Sequence, residues 1–206
     1  MRNGAIKWFA CVVLSGVLII ACGGTKLNTT KVDEARLGKP VSDILVIAIT
    51  YEKELRHSFE DKFVAQFKTA GIEAVSSADV IPISEKQQLE KDAILKAVNK
   101  FENDAVIIIH MVGVEEKEII TRSPSSGRGY YGHYLWAYGN THQPGYSSTR
   151  ITVRLATNLY DVKTEKLIWS GKSETLRPDS VNQIIDDVIK VVIQDLQKNK
   201  LLPPKK

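Results

Sequence analysis

Ala105-Val106-Ile107-Ile108-Ile109-His110-Met111-Val112-Gly113-Val114 is an almost unbroken aliphatic run around a single histidine. It is rich in β-branched residues and lacks the three-to-four spacing of an amphipathic helix. Such a run reads as a strand covered on both faces, and it predicts the centre of a sheet. Ile44 to Ile49 is a second run of the same kind.

Working outward, the segments between and beyond these runs supply helices. Leu55, Phe59, Phe63 and Phe67 recur every four residues, Val64 and Ala70 widen the stripe, and Gly71 marks a C-terminal stop. Ile72 to Val75 reads as a short strand. Ser84 with Gln87 has the capping-box pattern that opens a second helix, whose buried face would carry Leu89, Ala93, Ala97 and Phe101. Further on, Ile151, Val153, Leu155 and Leu159 alternate with polar or small residues as in a half-exposed strand. Tyr160 to Lys166 turns the chain into Leu167, Ile168 and Trp169, a hairpin. Pro178 and Asp179 precede a long helix with Val181, Ile184, Ile185, Val188, Val191, Val192 and Leu196 facing inward. This order predicts one α/β domain over residues 43–202, a two-layer sandwich with amphipathic helices on a mixed β-sheet, and a tail at 203–206.

The amino end has a different character. Arg2 and Lys7 form a short positive region, Trp8 to Ile20 is apolar, and Ala21 precedes Cys22. This is signal-peptide anatomy, and roughly 13 apolar residues fall short of the ~20 needed to span a bilayer. Leu18-Ile19-Ile20-Ala21-Cys22 resembles the lipobox of bacterial lipoproteins, in which the thiol receives a diacylglycerol. That resemblance implies cleavage after residue 21, acylation of Cys22 and anchoring by several acyl chains, since a single chain binds only marginally. In Gram-negative lipoproteins an aspartate after the cysteine retains the protein at the inner membrane. Gly23 stands there in this chain, which implies an outer-membrane destination with the domain facing the periplasm. The polar, aperiodic stretch over 22–42 predicts the acylated cysteine followed by a flexible tether of about 25 Å root-mean-square span, with a folded first strand as the alternative.

Composition narrows the chemistry. The only other cysteine, Cys11, leaves with the signal, so thiol catalysis, thiolate metal sites and disulfides are excluded from the mature chain. The 185 residues from Cys22 onward carry 26 basic and 24 acidic side chains. A near-neutral chain without a basic block points away from nucleic acid.

Leu159-Tyr160-Asp161-Val162-Lys163-Thr164-Glu165-Lys166-Leu167-Ile168-Trp169, together with the lipobox and the element order, resembles a widespread family of bacterial outer-membrane lipoproteins carrying a YDxxTGKLxW-type hairpin. More distantly the layout is similar to the anticodon-binding-domain-like fold of the TolB amino-terminal domain, the curli-export lipoprotein CsgG and the polysaccharide-export lipoprotein PelC. The resemblance implies a fold, and fold does not imply function. This chain departs from the motif at Glu165, where glycine usually serves a left-handed turn. Either Glu165 bears a backbone penalty of about 1 kcal/mol or the turn takes another form. Trp169 and Tyr160 read as packing residues.

No G-x-S-x-G, H-E-x-x-H or glycine-rich phosphate loop is present, and no cofactor or metal is expected. Glu115, Glu116 and Glu118 cluster at the end of the central strand, where a solvated strand end competes with an ion site or a general acid. His57 reads as an exposed helix residue and His110 as a buried neutral histidine. The unusual stretch is the loop at 122–150, which has glycines at 127, 129, 132, 139 and 145, His133 and His142, and no acidic residue. Its Tyr130, Tyr131, Tyr134, Trp136, Tyr138 and Tyr146 offer large rigid faces with polar tips, and Arg128 suits a phosphate or carboxylate. These residues are the candidate partner-binding set. The partner could be an envelope protein, a glycan, a lipid surface or a second copy of the chain. The leading expectation is a membrane-anchored, non-enzymatic envelope interaction module. The alternatives are an oligomeric subunit of a polysaccharide or protein export assembly and, more weakly, a cell-envelope hydrolase.

Overall fold

The computed structural model of the protein describes residues 24–50, 52–81, 89–121, 129–142 and 146–203. In chain order these form β1 (Thr25–Val32), β2 (Asp43–Ile49), α1 (Lys53–Thr69), β3 (Glu73–Ser76), the one-turn α2 (Ser77–Val80), α3 (Lys91–Phe101), β4 (Ala105–Thr121), α4 (Gly129–His142), β5 (Tyr146–Asp161), β6 (Leu167–Leu176) and α5 (Val181–Lys198). The strands make one mixed sheet in the order β1-β6-β5-β4-β2-β3. Strand β2 runs parallel to β3 and β4, and the remaining pairs are antiparallel. The aliphatic run thus lies inside the sheet, and the expected mixed α/β sandwich is what forms.

One face is covered by α1 and α5. The rings of Phe59, Phe63 and Phe67 follow one another at 5.6 Å along α1. With Ile185, Val188, Ile189, Val192 and Leu196 of α5 they pack on Ile44, Val46, Ile107, Ile109, Leu155, Leu159 and Trp169. The periodicity reading of α5 errs at its first turn, where Val181 is 54% exposed. On the opposite face, Ala97 and Val98 of α3 form a smaller core with Leu45 and Ile47 of β2 and Ile81, against which Val75 of β3 and Val106 and Ile108 of β4 pack. Strands β5 and β6 there present a polar surface, on which Asn158 accepts from Ser170 and Arg154 donates to Glu174. The pattern at Ser84 and Gln87 lies outside the described residues, and α3 begins after Glu90.

The expected tether is corrected. Residues Thr25–Val32 pair with β6 as an edge strand, and Val41 is buried with its N–H donated to the Leu201 carbonyl. Polar composition hid an alternation in which Leu27 and Thr29 turn inward while Lys26, Asn28 and Thr30 turn out. Edge strands carry charge on their outer face to block further pairing, so a lysine-bearing strand imitates a linker. Thr29 and the Trp169 indole both donate to Asp195 of α5, at 2.8 Å each, which fastens β1 to the core.

The β5–β6 hairpin answers the question posed by Glu165, which stands in the left-handed region at φ 55°. Asp161 compensates, its Oδ1 accepting from the N–H and hydroxyl of Thr164 at 2.8 Å. Trp169 is fully buried, and Gly171 makes room for it: a Cβ at that position would meet the indole at 2.6 Å.

Candidate functional site

The ends of this sheet differ. At one end lie the carboxyl ends of β2 and β4, the start of β5, the end of β6 and the first residues of β1, since Thr25 pairs with Thr175, Thr175 with Val153 and Val153 with Val114. Helices α1 and α5 both begin here. In open α/β sheets this is where ligands bind, because the loops leaving parallel strands diverge there.

The floor of this end is a buried polar cluster. Glu60 is fully buried, and its Oε1 accepts from Ala48 N at 2.8 Å, Arg56 Nε at 2.9 Å and the Ser77 hydroxyl at 2.8 Å. Its Oε2 accepts from the Ser76 hydroxyl at 2.9 Å and Ala78 N at 2.7 Å. Five donors on one carboxylate repay its desolvation and tie α1 to the end of β2 and to the β3–α2 turn. Neither Arg56 nor Glu60 is among the residues the sequence singles out. The missed signal is periodic: Arg56 and Glu60 share the helical face of Phe59, Phe63 and Phe67, so they had to be buried as a pair.

Above that floor, a register shift between Met111 and Gly113 bulges β4. A bulge inserts one unpaired residue and reverses the later alternation. Met111 and Val114, three apart, therefore both line one pocket while Val112 protrudes. The pocket has a volume of about 350 Å³. Its walls are core residues such as Phe59, Ile109, Leu155 and Ile185, and its rim is Ile49, Met111, Val114 and Val181, each more than half exposed. Among the described residues, every exposed large apolar side chain except Leu37 and Leu95 belongs to this end or to the arm that leaves it.

The arm is the β4–β5 ribbon past the sheet. Six pairs, from Glu116↔Ile151 to Thr121↔Tyr146, extend beyond the last β6 pairing at Thr152, a projection of roughly 20 Å at ~3.4 Å per residue. It carries α4, whose contacts among the described residues with other helices and strands are at most slight. Within the expected loop, 129–142 form a helix that starts at Gly129 with a left-handed φ of 80°, and 146–150 belong to β5. Tyr131, Tyr134 and Tyr138 stand at helical spacing on one side, with centroids 6.2 and 6.0 Å apart. Tyr130 is 93% exposed, and all three stacked tyrosines are more than half exposed. Trp136 is half-buried beside His133 at 5.3 Å. Of the other candidates, Cys22 and Arg128 lie outside the described residues. Tyr146 is placed in β5, but its side chain lies outside them too.

The glutamate cluster does not converge. Strand alternation sends Glu115 to the face opposite Glu116 and Glu118. Glu115 accepts from Lys117 and Arg154 at 2.6 Å each, and these hydrogen bonds, that from Lys117 first, hold its carboxyl below the usual glutamate range. An ionised, paired carboxylate donates no proton. His57 lies 3.7 Å from Asp79 at the surface, and His110 is half-buried on the pocket wall. Among the described residues no three His, Cys, Asp or Glu side chains converge as metal ligands.

The opposite end is closed. Asp104 accepts from the N–H and hydroxyl of Ser42 at 2.9 Å, and Asn103 donates to Asp43. Burial, joined by the neighbouring charges of Asp104, Glu73 and Glu102, raises the Asp43 carboxyl against that bond. Asp161 meets Arg36 at 3.2 Å. Burial would raise its carboxyl, but the Thr164 hydrogen bonds and the Arg36 charge outweigh it and lower the group instead.

No family model and no curated protein matches the chain. Among solved structures it is similar to the PelC dodecamer from Paraburkholderia phytofirmans, at 13% identity and a TM-score of 0.47 over 84% of this chain and 97% of that one. It is similar to lipoprotein GNA1162 from Neisseria meningitidis, at 15% identity and 0.41 over 76% and 99%. A minor lipoprotein from Acinetobacter baumannii aligns at 7% identity and 0.33 over 80% and 98%. At these identities and scores the likenesses carry no activity, partner or assembly to this chain.

Proposed function

We propose that the protein is a lipid-anchored module of the bacterial outer membrane that faces the periplasm and works by binding, without catalysis, through the β4–β5 arm. The observation that carries this reading is the arm itself: a two-stranded ribbon bearing a helix on which Tyr130, Tyr131 and Tyr134 are each more than half exposed. A lone two-stranded ribbon is marginal in water, and exposed aromatics at its tip favour a surface that covers them.

Acylation of Cys22 sets the geometry. Only Gly23 and Gly24 separate that cysteine from β1, so the open end stands against the membrane rather than on a long leash. A photo-crosslinker placed at Tyr134 in intact cells tests the reading, with Lys163 on the closed end as control. Adducts with a defined envelope component from position 134 alone are expected. Equal yields from both positions sink the arm as the binding element. Light scattering of the purified lipoprotein decides the competing assembly reading, in which the arm joins copies of this chain into a ring: a monomer disfavours it, a closed oligomer replaces the module with a subunit.

A further inference from the structure

We propose that the apolar pocket at the open end holds an acyl chain, and that its occupant is one of the chains carried by Cys22. The inference rests on the proposed acylation of that residue.

The pocket's chemistry selects the ligand class. Its walls of Ala48, Phe59, Ile109, Leu155 and Ile185 offer no side-chain hydrogen-bond donor or acceptor, and its polar groups, Thr50, Glu52 and His110, are few. A peptide would bring backbone N–H and C=O groups that these walls leave unpaired, and a sugar would bring hydroxyls. An acyl chain brings neither, and about 350 Å³ lies within the ~300–1,000 Å³ span of small-molecule sites. The exposed rim of Ile49, Met111, Val114 and Val181 extends the apolar surface outward to meet a chain that enters from the membrane side.

Position selects the source. Thr25 lies in the same row as Val153, two strands away, a separation of about 10 Å at ~4.8 Å per strand. Three residue steps from Cys22 to Thr25 reach at most about 10 Å. The Thr25 hydroxyl donates to Asp187 of α5 at 3.5 Å, which puts β1's first residue on the face of the sheet that the pocket opens from. A lipid on Cys22 is therefore delivered to the pocket mouth by the fold. The remaining chains of the anchor stay free for the bilayer, so occupancy would set how firmly the protein is held.

The test uses the full lipoprotein labelled in cells with a diazirine fatty acid, followed by irradiation and mapping of the adducts. Label on Cys22 with crosslinks to Met111, Val114 or Val181 is the expected result. The rim substitutions Val114→Asp and Val181→Asp, at exposed positions that leave folding intact, should cut that crosslink at least tenfold. Absence of label on Cys22 overturns the anchor reading and this proposal together. Labelled Cys22 whose chains crosslink only to bilayer lipid, or rim variants with undiminished yield, overturn this proposal and leave the anchor standing. A Cys22→Ser protein that takes up a free diazirine fatty acid in the pocket, while the wild-type anchor chain does not enter, overturns the choice of occupant.

Discussion

Two ends of one sheet have been finished in opposite ways. At the closed end, Asp43, Asp104 and Asp161 accept from backbone N–H groups or from Asn103, and the segments that meet there, around Val41 and Leu201, are buried. At the open end the face under α1 and α5 is apolar and uncovered beyond the buried Glu60, and ion pairs from Arg154 to Glu115 and Glu174 occupy the other face. The same strands supply both ends, so the difference is no consequence of strand composition as a whole. It marks one end as scaffold and the other as surface, because leaving large apolar groups in water is favoured only where something covers them.

That contrast can be broken by substitution. Glu60→Leu strands the Arg56 Nε–H and the Ala48 N–H, and it should lower stability by about 3–5 kcal/mol in urea denaturation. Adding Arg56→Met should recover only part, since the Ala48 N–H stays unpaired. A loss below about 1 kcal/mol for the single change would mean the open end does not rest on this carboxylate.

Asp161→Asn at the closed end should cost about 2 kcal/mol at neutral pH through weakened charged hydrogen bonds. The pH sign follows from its lowered carboxyl. A group depressed in the folded state stabilises above its unfolded pKa, and that contribution is lost as pH falls through the folded value, below about 4. The Asn variant should therefore lose less stability between pH 5 and 2 than the parent, and thermal denaturation across that range measures it.

Glu165→Gly should raise stability by about 0.5–1 kcal/mol, the left-handed penalty less glycine's greater unfolded freedom. The smallest effect on stability belongs to the open end. Tyr131→Ser with Tyr134→Ser should change it by no more than about 0.5 kcal/mol while removing crosslinking from the arm in cells. A large loss of stability from that pair would show that the tyrosines hold the fold and would erase the distinction between the two ends.

Much of the scaffold is legible without coordinates. Apolar runs at 44–49 and 105–114 become adjacent parallel strands, and the phenylalanine ladder becomes the buried face of α1. Two local patterns are legible only in part. The alternation in β1 lay under polar residues, and Ser180 with Gln183 has capping-box spacing, its hydroxyl accepting from Gln183 N at 3.1 Å. The candidate site was visible only in part. Aromatic density named the arm, but nothing local showed that Arg56 and Glu60 would meet Ser76, Ser77 and the end of β2.

What the sequence determined by itself is periodicity and covalent chemistry: which segments are strands or amphipathic helices, and which cysteine resembles a lipid acceptor. These are properties of neighbours along the chain. Tertiary structure alone decided that β1 begins beside the open end, that a bulge at Val112 turns Met111 and Val114 onto one pocket, and that arm, pocket and first strand share one end of the sheet. Those facts depend on strand order and register, set by the sum of contacts between residues far apart in sequence. A one-residue slip, which no local pattern forbids, would turn the pocket's rim to the other face.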